Sequence, residues 1–112
     1  MRQSDNLRLK HMLDTERKVI EFSTGHSRAD LNTNQILASA LIREVCVIGE
    51  AAASISIGER EQLVGIPWKS IIGMRNRLVH AYDRVDLDIL WDTIVNDIPQ
   101  LIGELERLPE VR

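Results

Sequence analysis

Leu87, Leu90, Trp91, Ile94, Ile98, Leu101, Leu105 and Leu108 recur at steps of three and four. Such a stripe lies on one face of a helix and does not fit a strand, whose side-chain period is two. A helix with one apolar face must bury it against another layer. No segment of the chain alternates as a strand does, so that layer must be helical. The helix is expected to start near Asp86, where Asp86 and Asp88 suit the positive end of the dipole. Pro99 interrupts the stripe, which predicts a kink or two helices in succession. The tail from Pro109 is expected to fray.

Three further helices can supply the layer. Leu9, Met12, Leu13, Val19 and Ile20 share one face of a first helix, from about Asn6 to Phe22, capped by Asp5 or Asn6. A polar loop follows through Asn32. His11 lies off the stripe and His26 lies in the loop, and both read as solvated. A second helix runs from an Asn32 or Thr33 cap to about Ser54. Leu37, Leu41, Val45, Ile48 and Ala52 form one stripe on it, and Ala38, Ile42, Cys46 and Ala53 form another beside it. So wide an apolar arc is buried on more than one side, as in a central helix or one that meets a second protomer. Glu50 is the only charge between Val45 and Ile57, and a carboxylate in such a setting is expected to have a buried partner, Arg75 or Arg77. A short helical piece, Glu59 to Val64, precedes Pro67, and proline suits the first turn of a third helix. The expected fold is all-α: an antiparallel four-helix bundle with a short extra helix, one domain over residues 1–112.

Composition narrows the function. No run of eighteen apolar residues is present, so no membrane partner is expected. The start, Met1-Arg2-Gln3-Ser4-Asp5-Asn6, lacks the apolar run of a signal peptide, and a single cysteine fits a reducing, cytoplasmic setting. There is no paired-cysteine metal spacing, no P-loop and no dinucleotide fingerprint. A net charge of −3 weighs against a dedicated nucleic-acid binder, although a local cluster such as Arg75, Arg77 and Arg84 can act inside an acidic whole.

The densest chemistry lies in the third helix, Ile71-Ile72-Gly73-Met74-Arg75-Asn76-Arg77-Leu78-Val79-His80-Ala81-Tyr82. Ile71, Met74, Leu78 and Ala81 make its apolar stripe. Arg75 and Tyr82 share a face beside it, and Asn76 and His80 share another. On a straight helix His80 points roughly 140° away from Arg75. Either the helix loosens near His80, or the site gathers groups from two protomers. An arginine holds a phosphate with a charged, planar fork of donors, and a histidine moves a proton near neutral pH. The pair suits cleavage or transfer at a phosphodiester.

The run Gly73-Met74-Arg75-Asn76-Arg77-Leu78-Val79-His80-Ala81-Tyr82-Asp83 resembles the HepT-like branch of the HEPN superfamily, which carries Arg, four residues, His, one residue, Tyr. Ile66-Pro67-Trp68-Lys69, Val85-Asp86-Leu87-Asp88-Ile89-Leu90-Trp91 and Ile48-Gly49-Glu50-Ala51-Ala52 resemble it as well, in the same order.

The resemblance implies the ribonuclease toxin of a type VII toxin–antitoxin pair. It implies a homodimer whose motif helices meet across the interface, and an MntA-type minimal nucleotidyltransferase as antitoxin. The implied reaction needs no metal and no cofactor. The ribose 2′-OH of a tRNA or mRNA attacks the adjacent phosphorus and leaves a 2′,3′-cyclic phosphate. His80 is then the general acid or base, Arg75 holds the phosphate, Asn76 and Arg77 support RNA binding, and Tyr82 receives AMP from the nucleotidyltransferase. The alternative is a non-catalytic helical module that binds a nucleotidyltransferase or a nucleotide through the same cleft.

Overall fold

The first apolar stripe becomes α1, Gln3–Ser23, in a computed structural model that describes residues 3–81 and 84–111. The polar loop after it contains a single helical turn, α2 (Asp30–Thr33), which buries Leu31. Asn34 then caps α3 (Gln35–Ala53) by accepting from the Leu37 amide at 3.0 Å. An N-cap of this kind satisfies one of the donors that a helix start leaves over. Ser56 caps α4 (Ile57–Gln62) in the same way. Asp5, buried at the start of α1, accepts from the Ser56 amide at 3.1 Å and from its hydroxyl at 2.7 Å. This clasp fixes the beginning of α1 to the turn between α3 and α4.

The second half is more broken. Pro67 precedes α5 (Trp68–Ile72), Gly73 interrupts, and α6 (Met74–Leu78) follows. The chain then leaves helical geometry. β1 (Val79–Ala81) pairs antiparallel with β2 (Arg84–Val85), a two-stranded ladder that the periodicity does not predict. α7 (Leu87–Asp92), a π-turn (Thr93–Asp97) and α8 (Ile98–Glu106) complete the fold. α1 packs on α3 and α8, while α3 also carries α5 and α6. The all-α expectation holds, with the small ladder as its one exception among the described residues. No helix among them is long and apolar enough to cross a membrane.

Pro99 explains the π-turn. Proline has no amide hydrogen to donate and is tolerated only in the first turn of a helix. Here it stands in the first turn of α8, and the Ile98 amide just before it bonds back to the Thr93 carbonyl, five residues away. The expected kink is therefore a widened turn that resets the helix. The tail is held more firmly than expected: Val111 is buried, and its amide bonds to the Leu108 carbonyl at 3.0 Å.

One core position breaks the pattern. Glu16 lies on the same face of α1 as Leu9, Met12, Leu13 and Val19 and is 0% exposed. Neither of its carboxylate oxygens has a hydrogen-bond partner among the described residues. Burial pushes its pKa from 4.5 up to about 9, against a weaker downward pull from Arg17. A carboxylate that loses water without gaining a partner keeps its proton instead.

Candidate active site

The groups singled out in the motif are carried by α6 and by the segment that follows it. α6 exists because Met74 and Leu78 bury one side of two short turns, leaving Arg75, Asn76 and Arg77 exposed. The close seat on α3 of α5, the helix just before it, depends on Gly49. A Cβ added there would lie 3.0 Å from the Ile71 carbonyl of α5, a backbone atom that cannot turn aside. The glycine lets the two backbones approach and so sets the position of α5, which leads into α6.

Arg75 and Arg77 diverge. Two residues apart, they point about 200° from each other around α6. The charge of Arg75 reaches α3, on which α6 packs: burial pushes the Cys46 thiol up, the Arg75 charge pulls it down and the Glu50 charge pushes it up. Both charges therefore act on one point of the α3 surface. Arg77 faces the other way, into clefts lined by Pro67, Ser70, Met74 and Asp97 on one side and by Asp88 and Asp92 on the other. It donates to the Ser70 carbonyl at 3.3 Å.

Glu50 is exposed, not buried, and has no ion pair with Arg75 or Arg77 among the described residues. It stands two residues from both Ile48 and Ala52, which point into the core, so it lies about 200° round the helix from each. The expectation of a buried partner came from the apolar run around Glu50, but that run wraps the whole helix and its outer part is only half covered. Ile42, Cys46 and Val47 are half-buried, and Ala53 is exposed.

The helix gives way before His80, the first of the two geometries left open by the spacing. α6 ends at Leu78, so Asn76 and His80 do not share a helical face, and the 140° separation of Arg75 from His80 expected on a straight helix no longer applies. His80 is the middle residue of β1. Val79 pairs with Val85 and Ala81 with Arg84, so the ladder slips at His80 and leaves it without an opposite residue. A bulge of this kind bends its strand, and bulges are frequent beside active sites. The Asp86 amide closes the ladder by bonding to the Leu78 carbonyl at 2.9 Å, and the Asp86 carboxylate caps α7 through the Asp88 and Ile89 amides. Tyr82, with Asp83, lies outside the described residues. No group of three or more His, Cys, Asp or Glu among the described residues is arranged to hold a metal ion.

The profile of the HepT-like family (Ribonuclease HepT-like) matches residues 12–108. The chain belongs to the HepT-like ribonuclease family. It is 32% identical over 108 residues to a Thermococcus cleftensis protein named "Probable ribonuclease HepT", covering 96% of this chain and 98% of the relative. A "Putative RNase" of Caldanaerobacter subterraneus subsp. tengcongensis is 35% identical over 100 residues, covering 89% of each. A Methanocaldococcus jannaschii protein named "Gamma-glutamylcyclotransferase and putative RNase" is 33% identical over 110 residues, or 98% of this chain. The chain spans about half the length of that relative, 50% of it. No solved structure matches the chain.

Proposed function

We propose that this HepT-like chain is an endoribonuclease toxin that cuts RNA with Arg75 and His80. The observation that carries the reading is the placing of the motif: an exposed Arg75 on α6, followed within five residues by His80 at a break in the backbone. In the reaction the ribose 2′-oxygen attacks phosphorus as its proton passes to a base. The bond from phosphorus to the 5′-oxygen breaks, and that oxygen takes a proton from an acid. The products are a 2′,3′-cyclic phosphate and a free 5′-hydroxyl. His80 serves one of the two proton transfers, and Arg75 stabilises the charge that builds on the phosphoryl oxygens. Asn76, beside Arg75 on α6, contributes to RNA binding. Arg77 faces away from Arg75, so it has at most an indirect part.

The proposed assembly is a homodimer whose motif segments meet across the interface. The proposed antitoxin is an MntA-type nucleotidyltransferase that transfers AMP to Tyr82. The tyrosine oxygen attacks the α-phosphorus of ATP and pyrophosphate leaves. A phosphate and an adenosine carried on the motif would compete with RNA phosphate for Arg75.

The test uses chain purified without its antitoxin, with its intact mass recorded, incubated with tRNA and mRNA in EDTA. Cleavage leaving cyclic-phosphate ends is expected, falling by about 10²–10⁴-fold in His80→Ala. A dimer of unmodified mass that cuts neither RNA would overturn the nuclease reading and favour a non-catalytic binding module. With the antitoxin and ATP added, an adenylyl mass and loss of cleavage are expected in the wild type and neither in Tyr82→Phe.

A further inference from the structure

The outer face of α3 is flanked on both sides by cations, and only one of them belongs to the motif. On one flank α6 brings Arg75 toward Cys46 and Glu50, which are one turn apart on α3. On the other flank lies α1. Between α1 and α3 runs an open groove of about 340 Å³, in which Arg8 and His11 face Val47, Glu50 and Ser54. Glu50 thus links the groove to the surface where Arg75 acts.

Both α1 groups are available. Arg8 is 46% exposed, and its one ion pair among the described residues, to Asp5, is long at 3.8 Å. Asp5 is already held by the amide and hydroxyl of Ser56. His11 is exposed, and its side chain has no partner among the described residues. Lys18, further along α1, is different: it is engaged by Glu44 at 3.7 Å. Arg8 and His11 are three residues apart, which places them on one face with a rise of about 4.5 Å between them. That is within reach of one or two successive phosphates of a single strand.

We propose that this groove holds the RNA strand beside the scissile phosphate, with Arg8 and His11 binding its backbone. The inference rests on the ribonuclease reading and adds residues that lie outside the motif. Glu50 repels phosphate, so it turns the backbone toward α1 and away from the middle of the groove. The apolar part of the lining, Leu7, Val47 and Ala51, can cover ribose but has no aromatic surface on which a base could stack. The groove therefore positions the strand without reading its sequence.

Binding of a labelled 2′-O-methyl RNA strand of about twelve nucleotides, which cannot be cut by its own 2′-oxygen, isolates this contribution from cleavage. Its affinity is measured over a series of salt concentrations for the wild type, for Arg8→Ala/His11→Ala and for Lys10→Ala. Lys10→Ala removes a charge from another face of α1. The double variant is expected to bind on the order of tenfold more weakly, and its salt slope is expected to fall by about 0.7 for each phosphate it no longer neutralises. Lys10→Ala is expected to keep the wild-type slope. An equal loss in Lys10→Ala would mean that only overall charge matters and would overturn the proposal. So would an unchanged slope in the double variant, or wild-type chain that does not bind the strand. If sedimentation showed that the double variant changed self-association instead, the groove would belong to a second copy, and the proposal would again fail. Cleavage of unmodified RNA by the wild type tests the ribonuclease reading separately.

Discussion

α1 and α3 are long and regular, 21 and 19 residues respectively. From Trp68 to Glu106 no stretch of α-helix among the described residues exceeds nine residues, and a glycine, a bulged ladder and a π-turn intervene. The regular pair holds much of the apolar core. The broken half carries the motif. Regular helices place apolar groups well because every third or fourth residue returns to the same face. They place several different polar groups around one point poorly, because neighbouring residues diverge. Breaking the helix removes that restriction, and His80 stands at one of the breaks.

The largest expected effect concerns Glu16 in the regular half. Glu16→Leu should stabilise the chain, and the gain should depend on pH. The folded-state pKa of Glu16, about 9, lies above its ordinary value of 4.5. Below about pH 4.5 both states hold the proton and nothing is lost. As pH rises from there toward 9, the unfolded chain releases the proton while the folded chain keeps it, so wild-type stability falls. The cost is on the order of 3 kcal/mol at pH 7 and roughly 6 kcal/mol above pH 9. Urea midpoints at pH 5 and pH 8 should show the variant's advantage widening; a constant advantage would mean that Glu16 finds a partner.

A smaller effect is expected where the two halves meet. Gly49→Ala forces a methyl group against the Ile71 carbonyl and should cost about 1–3 kcal/mol, as overpacking does. Because the strain falls on α5, next in the chain to the helix that carries Arg75, RNA cleavage at a temperature where the variant is fully folded should also fall. Full activity in a destabilised variant would show that the motif does not depend on this seat.

Smaller still is the fastening of the broken half. Asp86→Ala removes the cap of α7 and should cost about 1 kcal/mol, read from thermal unfolding. Gly103→Ala is the control. Nothing lies within 4 Å of the added methyl group, so the variant should gain about 0.5–1 kcal/mol from a stiffer unfolded chain. A loss there would mean that α8 is covered by something outside the single chain.

The contrast between the halves also governs what the sequence reveals. The stripes on α1, α3 and α7–α8 are legible because a period near 3.6 persists across many turns. Glu16 escapes notice because the flanking Leu13 and Val19 complete the stripe without it; its step of three from each is the signal that could have found it. The end of α6 is hidden for a different reason. Met74, Leu78 and Ala81 continue the helical spacing, so nothing local announces the turn into a strand, though Val79 and Val85 are β-formers. Pro99 announces a disturbance but not its form. The motif residues are legible as chemistry, while the divergence of Arg75 and Arg77 follows only from the helix that holds them. Arg8 and His11 carry no motif at all, and only the packing of α1 beside α3 brings them next to Glu50.

The bond from the Asp86 amide to the Leu78 carbonyl closes a short hairpin whose two ends are anchored in the bundle, one by the buried Leu78 and the other by the start of α7. The stretch of sequence from His80 to Val85 thus lies between two anchored ends. Its residues can be exchanged, added to or chemically modified while those ends stay joined, because the cost of closing a loop rises only slowly with its length. A change of catalytic group or of regulatory group in this segment need not be matched by a change in the helices beneath it.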